Sequence, residues 1–312
     1  MAPQTENKIV LIVRATRLDE LVARYNTEAQ ARFYIEHLGA DFSDYQQEDA
    51  HYKAAVRETR EYLQELGRVQ VVDRSFVPNF IFGAEDTVVV LGQDGLVANT
   101  LKYLDRQPVI GVNPDPARWD GVLLPFRVRD LGKLVPEVFR GGRDMAEVTM
   151  ARAELSDGQV LHAVNDLFIG ARSHISARYL IESGGWKEQH SSSGVIVSTG
   201  LGATGWFRSL MTGALAIAAS VNEEKASSPA LPVFPKNADY LYFTVREPFP
   251  STTSQANLVF GKVTANKPLV LSSQMAGSGV IFSDGMEKDC LEFNSGAQAL
   301  VRPAAKKGYL VV

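Results

Sequence analysis

The stretch Thr87-Val88-Val89-Val90-Leu91-Gly92-Gln93-Asp94-Gly95 decides the fold of this chain. Its first five residues form an unbroken apolar and β-branched run, which is typical of a parallel strand buried on both faces. A helical pattern then continues to about Leu104, and the next β-branched strand is Val109–Val112. This succession predicts a doubly wound α/β layer with a mostly parallel sheet.

The residues before this stretch extend the same alternation. Ile9–Val13 is predicted to be a strand, and apolar residues at helical spacing predict one helix over Thr16–His37. A second helix is predicted over Ala54–Leu66 and leads into a strand at Val69–Val72. Helices that alternate with strands in this way suit the two faces of one parallel sheet.

After Glu147 the pattern changes to short strands separated by turns. Strands are predicted at Val148–Leu155, Leu161–Ile169, Ala177–Glu182, Gly194–Ser198, Tyr240–Val245, Leu269–Leu271 and Gly279–Phe282, with a helix at Trp206–Val221 and a surface loop or lid at Ala226–Asn237. We therefore predict an α/β domain over residues 1–145 and a β-rich domain over residues 146–312. About the last 15 residues are expected to pack back on the first domain.

Composition excludes several classes of protein. Lys and Arg total 32 against 36 Asp and Glu, a net charge of -4, so no broad basic surface for nucleic acid or an anionic membrane is expected. The single cysteine, Cys290, excludes an internal disulfide and points to a reducing compartment. The polar leader Met1–Asn7 does not resemble a signal peptide, and the apolar segment Leu210–Val221 is too short to span a bilayer. We expect a soluble, cytoplasmic protein.

The segment Gly92–Gly95 stands between a strand and a helix. At such a position glycines let backbone amides approach a phosphate, and the helix N-terminus favours an anion. Asp94 would repel a phosphate, but its carboxylate could accept the proton of a hydroxyl that attacks a phosphoryl group. A tight Asp-Gly turn without a catalytic role explains the same residues, so both interpretations stay open here.

The segment Gly200-Leu201-Gly202-Ala203-Thr204-Gly205 has the spacing of the dinucleotide-binding fingerprint, and Glu223 or Glu224 follows at about the expected 20 residues. This spacing makes a hydride-transferring enzyme an alternative. The helix that follows leads into the Ser/Pro-rich loop and not directly into a parallel strand. The βαβ unit that a true fingerprint requires is therefore not predicted.

Two further polar groups interrupt apolar or turn segments. Asn165-Asp166 break an apolar strand, either to bind a sugar or an adenine or simply as a bulge or strand end. In the Pro-rich loop after the next strand of the first domain, Asn113 and Asp115 are expected to satisfy backbone donors, while Arg118 is either a phosphate ligand or a solvated charge. The five histidines lack the spacing of metal ligands, so we predict no protein-built metal site.

Taken in order, these segments resemble the NAD kinase family, most closely its mitochondrial-type members and their bacterial relatives. The residues that carry the resemblance are Gly92-Gln93-Asp94-Gly95, Gly111-Val112-Asn113-Pro114-Asp115-Pro116, Asn165-Asp166, the Ser-rich strand and Thr-Gly-rich loop of Ser191–Trp206, and Arg246-Glu247-Pro248. The early helix that starts at Thr16-Arg17 also fits, so the resemblance covers nearly the whole chain.

The resemblance implies ATP-dependent phosphorylation of the adenosine ribose 2′-hydroxyl of NAD, which gives NADP, at the junction of the two domains. It implies that Asp94 is the general base. The residues that it assigns to nucleotide binding are Gly92, Gly95, Asn113, Asn165, Asp166, Thr204, Gly205, Trp206 and Ser209. The implied cofactors are ATP and Mg²⁺, which bridges the transferring phosphates. An exposed sheet surface in the β-rich domain favours a homodimer.

Several positions depart from the family pattern. Gln93 replaces the second glycine of the phosphate loop and would add strain of about 1–2 kcal/mol if that position required a positive φ. Asp166 stands where the family has Glu, Ala203 lacks a hydroxyl, and Ser193 replaces a common Asp. The sequence therefore predicts the fold more directly than the substrate.

Other functions stay open beside NAD phosphorylation. A kinase of the same superfamily could act on a sugar, a lipid or another nucleotide. A protein with Gln93 in its phosphate loop could also bind NAD(P) as a regulator without catalysis, and hydride transfer is the third alternative. The donor is open too, since polyphosphate or another nucleotide could replace ATP.

Overall fold

Two compact units make up the chain in a computed structural model that describes residues 8–222 and 234–312. The first unit ends at Ala146 and also includes Tyr309–Val312, and the second unit is Glu147–Gly308. The sequence places the division at residues 145 and 146, close to this boundary.

Three of the sequence features lie outside the described residues. They are the leader Met1–Asn7, the acidic residues Glu223 and Glu224, and residues 226–233 of the predicted loop Ala226–Asn237. What the sequence predicts for them stays a prediction.

The first unit is a parallel sheet with helices packed on it. Its elements are β1 (Lys8–Val13), α1 (Arg17–Tyr25), α2 (Glu28–His37), α3 (Ser43–Leu66), β2 (Arg68–Asp73), β3 (Thr87–Leu91), α4 (Asp94–Leu101), β4 (Pro108–Val112) and α5 (Leu131–Phe139). The strand order is β2-β1-β3-β4, and each neighbouring pair is parallel. Near the end of the chain, Tyr309 and Leu310 pair with β4, also in parallel.

β3 is the central strand of this unit. All five of its side chains are buried, because β1 and β4 flank it and helices pack on the sheet. Val89 of β3 shares one core with Leu11 of β1, Ile110 of β4 and Leu63 of α3. The segment after β3, which carries Asp94, therefore starts from a strand held by neighbours on both edges.

Two predicted helices have different bounds in the structure. The predicted helix Thr16–His37 is divided into α1 and α2, because Asn26 adopts a left-handed φ of 67° and Thr27 caps α2. Asparagine tolerates this conformation better than most residues. α3 begins at Ser43, well before the predicted Ala54, since its first turns are too polar to show an apolar period.

The second unit contains two mainly antiparallel sheets and one helix. Its elements are β5 (Met145–Leu155), β6 (Val160–Ala163), β7 (Asp166–Ala171), β8 (Ala177–Ser183), β9 (Trp186–Ser192), β10 (Val195–Ser198), α6 (Trp206–Val221), β11 (Tyr240–Val245), β12 (Phe260–Thr264), β13 (Leu269–Ser273), β14 (Gly279–Ser283), β15 (Met286–Glu292) and β16 (Gln298–Val311). The first two residues of β5 and the last three of β16 belong to the first unit. One sheet has the order β12-β11-β10-β7-β14-β15, and the other contains β16-β13-β8-β9 together with β5 and β6. Apolar side chains of both sheets form one core.

The predicted strands are present, but the sequence misses β9, β12, β15 and β16. The first three lie at sheet edges, where backbone pairing on one side holds a strand without an apolar pattern. The predicted strand Leu161–Ile169 is two strands, β6 and β7, separated by Val164 and Asn165. The predicted architecture, an α/β domain followed by a β-rich domain, is confirmed.

Candidate active site

The phosphate-loop residues lie where β3 passes into α4. Gly92 is buried, and a Cβ atom on it would lie 2.8 Å from a methyl carbon of Leu96, so a larger residue would displace that side chain. Gln93 caps α4 in an extended conformation with φ at -121°. The position does not require a positive φ, and the strain considered for Gln93 is absent. α4 begins at Asp94, so the predicted loop is shorter than Gly92–Gly95.

Asp94 is the first residue of α4, and a neighbouring loop holds its carboxylate. Oδ1 accepts the N–H of Leu123 at 2.7 Å, and Oδ2 accepts that of Val122 at 3.3 Å. The start of a helix also favours a negative charge. The carboxylate is half-buried and fixed in direction, as a group that accepts a proton from a bound hydroxyl needs to be.

Asn113 supports the same loop. Its buried side chain donates from Nδ2 to the Trp119 carbonyl at 2.9 Å and accepts the Asp115 N–H at 3.0 Å. These bonds satisfy backbone groups, as the sequence predicts, and they position the segment that leads to Leu123 and thus to Asp94. Contact of Asn113 with a nucleotide stays a prediction.

Arg118 is paired with a carboxylate, and its contact with a phosphate stays a prediction. Its guanidinium contacts Asp44 at 2.6 Å and 3.2 Å. Arg17 binds the same carboxylate at 2.7 Å. The two guanidinium groups hold the pKa of Asp44 well below its usual range, so this ion cluster stays charged at neutral pH.

In the second unit, Asn165 and Asp166 lie at the turn between β6 and β7, which is the strand end considered from the sequence. Asp284 closes this turn. Its carboxylate accepts the backbone N–H groups of Val164 at 3.0 Å, Asn165 at 2.6 Å and Asp166 at 3.3 Å. The φ of Asp284 is 53°, a left-handed conformation that aspartate tolerates.

Asp166 is buried close to a second carboxylate. Its residue exposure is only 8%. Burial first, and the charge of Asp284 second, raise the pKa of Asp166 to about 7. Asp166 therefore changes protonation near neutral pH, donating a hydrogen bond when protonated and accepting when charged.

This buried carboxylate predicts a pH-dependent stability. Its pKa in the folded state, about 7, lies above the ordinary aspartate value of about 3.9, so the folded protein binds the extra proton and loses stability as pH rises through that window. The slope is at most about 1.4 kcal/mol per pH unit, and about 2 kcal/mol should be lost between about pH 5 and about pH 7. We expect Asp166→Asn to remove this loss in urea unfolding measurements at the two pH values.

The exposed Asp239 offers a matched control for that measurement. Asp239→Asn makes the same chemical change in solvent and should keep the wild-type slope. An Asp166→Asn slope equal to that of wild type would show that the raised pKa of Asp166 has no effect on folding.

The segment Gly200–Gly205 is a tight connection from β10 into α6. A Cβ atom would lie 2.0 Å from the Pro235 carbonyl oxygen if placed on Gly200, and 2.0 Å from the Asn165 carbonyl oxygen if placed on Gly202. These glycines allow backbone segments to touch. β10 pairs antiparallel with both of its neighbours, β7 and β11. The glycine spacing therefore reflects close packing, and it gives no support to hydride transfer.

A cavity of about 470 Å³ opens in the second unit. Residues that line it include Asp166, Phe168, Ser193, Trp206, Arg246 and Phe282. The ring of Phe168 stacks on Trp206 at 5.8 Å and on Phe282 at 6.0 Å, and the guanidinium of Arg246 lies 5.2 Å from the Trp206 ring. Flat aromatic faces beside the cation of Arg246 suit a ligand with aromatic bases and phosphates.

The cavity brings together two of the predicted residues, Asp166 and Trp206. Thr204, Gly205 and Ser209 are exposed around the start of α6, where the Ser209 hydroxyl donates to the Gly205 carbonyl at 3.4 Å. These three residues are close to Trp206 in sequence but are not among the residues that line the cavity.

Three contributors were not predicted as site residues. One of them is Asp284, which is followed by Gly285, and an Asp-Gly pair is typical of a turn in which the aspartate accepts backbone hydrogen bonds. Phe168 and Phe282 face each other as a cross-strand pair of β7 and β14. Their pairing depends on the strand register, which the sequence alone does not provide.

Within residues 8–222 and 234–312, no three His, Cys, Asp or Glu side chains come close enough to hold a metal ion. Cys290 lies half-buried in β15 without a disulfide partner. None of the described helices combines the length and the apolar character needed to cross a membrane.

Comparison with known proteins finds NAD kinases both among curated sequences and among solved structures. No family model matches the chain. It is 25% identical over 252 residues to NAD kinase 2, mitochondrial, of Rattus norvegicus, covering 64% of this chain and 59% of the relative. The Homo sapiens protein of the same name gives 25% identity over 64% of this chain and 57% of its own length. The chain thus spans less than two thirds of the curated relatives it matches.

Two solved structures are similar over nearly the whole chain. An NAD kinase from Archaeoglobus fulgidus in complex with ATP gives a TM-score of 0.58 at 14% identity, covering 98% of this chain and 93% of that one. Yeast NADH kinase complexed with NADH gives a TM-score of 0.57 at 15% identity, covering 99% and 84%. The resemblance to the NAD kinase family is therefore confirmed, in sequence by the two mitochondrial proteins and in fold by the two solved structures.

Proposed function

We propose that this chain is a NAD kinase that transfers the γ-phosphoryl group of ATP to the adenosine ribose 2′-hydroxyl of NAD, giving NADP and ADP. The observation that carries the proposal is the carboxylate of Asp94. It lies at the end of a buried strand and the start of a helix, and Leu123 fixes it through a hydrogen bond of 2.7 Å. The similarity to NAD kinases in sequence and fold supports the same activity.

In the proposed reaction Asp94 accepts the proton of the ribose hydroxyl while that oxygen forms a bond to the γ-phosphorus. The bond from the γ-phosphorus to the bridging oxygen breaks, and ADP leaves with that oxygen. Catalysis of such a transfer depends mainly on position and charge. The N-terminus of α4 and the backbone around Gly92 supply a place for phosphate oxygens.

Magnesium is proposed to arrive with the donor. Mg²⁺ keeps several waters and is held largely by phosphate oxygens together with one or two carboxylates. It would neutralise the charge that develops on the phosphates. The residues of this chain then have to orient the acceptor hydroxyl and the donor phosphates.

The dinucleotide is proposed to bind in the cavity of the second unit. Trp206 and Phe168 present stacked rings for a base, and Arg246 supplies a positive charge beside them. Asp166 is buried at the cavity and can bind a sugar hydroxyl. Asn165, Thr204, Gly205 and Ser209 stay proposed contacts on the evidence of the family motif alone.

The test is direct formation of NADP. Purified protein is incubated with ATP, Mg²⁺ and NAD, and NADP is measured with an NADP-specific dehydrogenase. NADH is compared with NAD as the acceptor, because one structural relative is an NADH kinase. Polyphosphate is compared with ATP as the donor. The absence of product with every one of these donor and acceptor pairs would contradict the proposal.

A panel of sugars, lipids and nucleotides with labelled ATP tests the alternative acceptors. If one of them accepted the phosphoryl group faster than NAD does, the protein would be a kinase of this fold with a different acceptor. Stabilisation by NAD(P) in thermal unfolding without any turnover would favour a regulatory binding protein.

Gln93→Gly is expected to change little. Because Gln93 already has an extended backbone with φ at -121° and forms no side-chain cap, glycine relieves no strain. Turnover should stay within about threefold of wild type, and stability within about 1 kcal/mol. A rise in NADP formation of about tenfold or more would show instead that the glutamine side chain obstructs the phosphates.

We also propose a cytoplasmic homodimer. α6 exposes large apolar side chains, among them Ile217 at 68% and Val221 at 76%, and such surfaces favour association. Light scattering coupled to gel filtration tests the dimer, and a monomeric mass at working concentration would contradict it.

The single cysteine supports a reducing compartment.

A further inference from the structure

We propose that Arg14 binds the phosphates of the phosphoryl donor at the Gly92 end of α4; this inference rests on the proposed function and extends it. Arg14 follows β1, and β1 pairs in parallel with β3. The carboxyl ends of parallel neighbours lie at the same edge of a sheet. Arg14 and the phosphate loop are therefore placed together by the topology of the first unit.

The guanidinium of Arg14 is held in one position. It lies 4.9 Å from the Tyr52 ring, and Nη2 binds Glu48 at 2.8 Å while Nη1 donates to the Ala15 carbonyl at 2.8 Å. The side chain is only 10% exposed. Nε is buried and has no hydrogen-bond partner among the described residues. A buried donor of this kind is costly unless an acceptor reaches it.

The unpaired nitrogen lies at the phosphate loop. Cδ of Arg14, to which Nε is bonded, is 3.9 Å from the place that a Cβ on Gly92 would occupy. Tyr52 links the residue after β1 to the end of β3. Its hydroxyl accepts the backbone N–H of Arg14 at 3.0 Å and donates to the Leu91 carbonyl at 2.8 Å. The buried Nε of Arg14 is therefore held close to Gly92, at the end of β3.

A phosphate bound at the loop Gly92–Gly95 needs a positive charge beside it. A donor phosphate placed there would meet the negative charge of Asp94, which the helix N-terminus offsets only in part. A guanidinium offers planar, charge-assisted hydrogen bonds to phosphate oxygens. Arg17 and Arg118 of this unit bind Asp44, and Arg14 itself pairs with Glu48. Arg14 is distinguished by its place beside Gly92 and by its buried Nε, which has no hydrogen-bond partner among the described residues.

Three variants separate phosphate binding from the ion pair with Glu48. Arg14→Gln removes the cation, and Glu48→Gln breaks the same pair but keeps the cation. Glu48 also binds Arg17, which keeps its second partner, Asp44, in every variant. The double variant removes both charges, so its comparison with Glu48→Gln isolates the loss of the Arg14 cation. Calorimetric titrations use Mg·ATP and inorganic tripolyphosphate as probes. We expect the single and double Arg14 variants to bind both probes about 10- to 100-fold more weakly, and Glu48→Gln to bind no more weakly than wild type.

The titrations also distinguish this inference from the proposed function. Equal affinities of the double variant and Glu48→Gln would overturn the role of Arg14, and so would a wild-type protein that binds neither probe. NAD titrated alone should bind equally to all variants, and a parallel loss of NAD affinity would indicate a merely structural role. The protein could also bind tripolyphosphate through Arg14 and yet make no NADP. That result would contradict the NAD kinase activity but would support the phosphate site.

Discussion

Asparagine in place of Asp94 is expected to slow NADP formation by at least about 100-fold, because loss of a general base typically lowers a rate by about 10²- to 10⁴-fold. Asparagine has nearly the same size and keeps one acceptor oxygen for the Leu123 N–H, which Asp94 binds at 2.7 Å. Its amide cannot accept the hydroxyl proton. We therefore expect kcat to fall while KM for ATP and NAD changes little.

The neighbouring loop provides a matched control for this variant. Asp120 is exposed and lies just before the segment that holds Asp94, so Asp120→Asn makes the same chemical change without touching the proposed base. Its turnover should stay within about threefold of wild type. Near-normal turnover of Asp94→Asn would leave Asp94 with a structural role only, as the anchor of Val122 and Leu123.

The fold could be predicted from the sequence because its central strands carry their own signal. Thr87–Leu91 is buried on both faces, and such a strand must be apolar throughout. β9, with the sequence Trp-Lys-Glu-Gln-His-Ser-Ser, carries no such signal. It is held at a sheet edge by backbone pairing with β8, and this pairing does not depend on apolar side chains.

The candidate site was predicted only where its residues are close in sequence. Asp94 can be recognised from the sequence because Gly92 and Gly95 lie within two residues of it. Asp284 binds Val164 across 120 residues of sequence, and no local spacing reports such a contact. The glycine pattern of Gly200–Gly205 fails for a different reason, because close packing of two backbone segments and close approach to a pyrophosphate require the same absence of a side chain.

The second large effect is expected for Asp284→Ala. This change leaves the N–H groups of Val164, Asn165 and Asp166 without their shared acceptor. The free energy of unfolding should fall by about 2–4 kcal/mol, because each unpaired N–H in a partly buried turn is unfavourable by about 1 kcal/mol or more. Alanine is also less suited than aspartate to the φ of 53° at this position. Urea unfolding at neutral pH measures the loss.

Asp284→Asn separates the acceptor role from the charge. Asparagine keeps one acceptor oxygen and tolerates the left-handed conformation, so its loss of stability should be well below that of alanine. It also removes one of the two causes that raise the pKa of Asp166, and the pH window of the Asp166 titration should move to lower pH. Equal stability of the alanine and asparagine variants would contradict the acceptor role. An unmoved pH window would show that burial alone, and not Asp284, keeps Asp166 protonated near neutral pH.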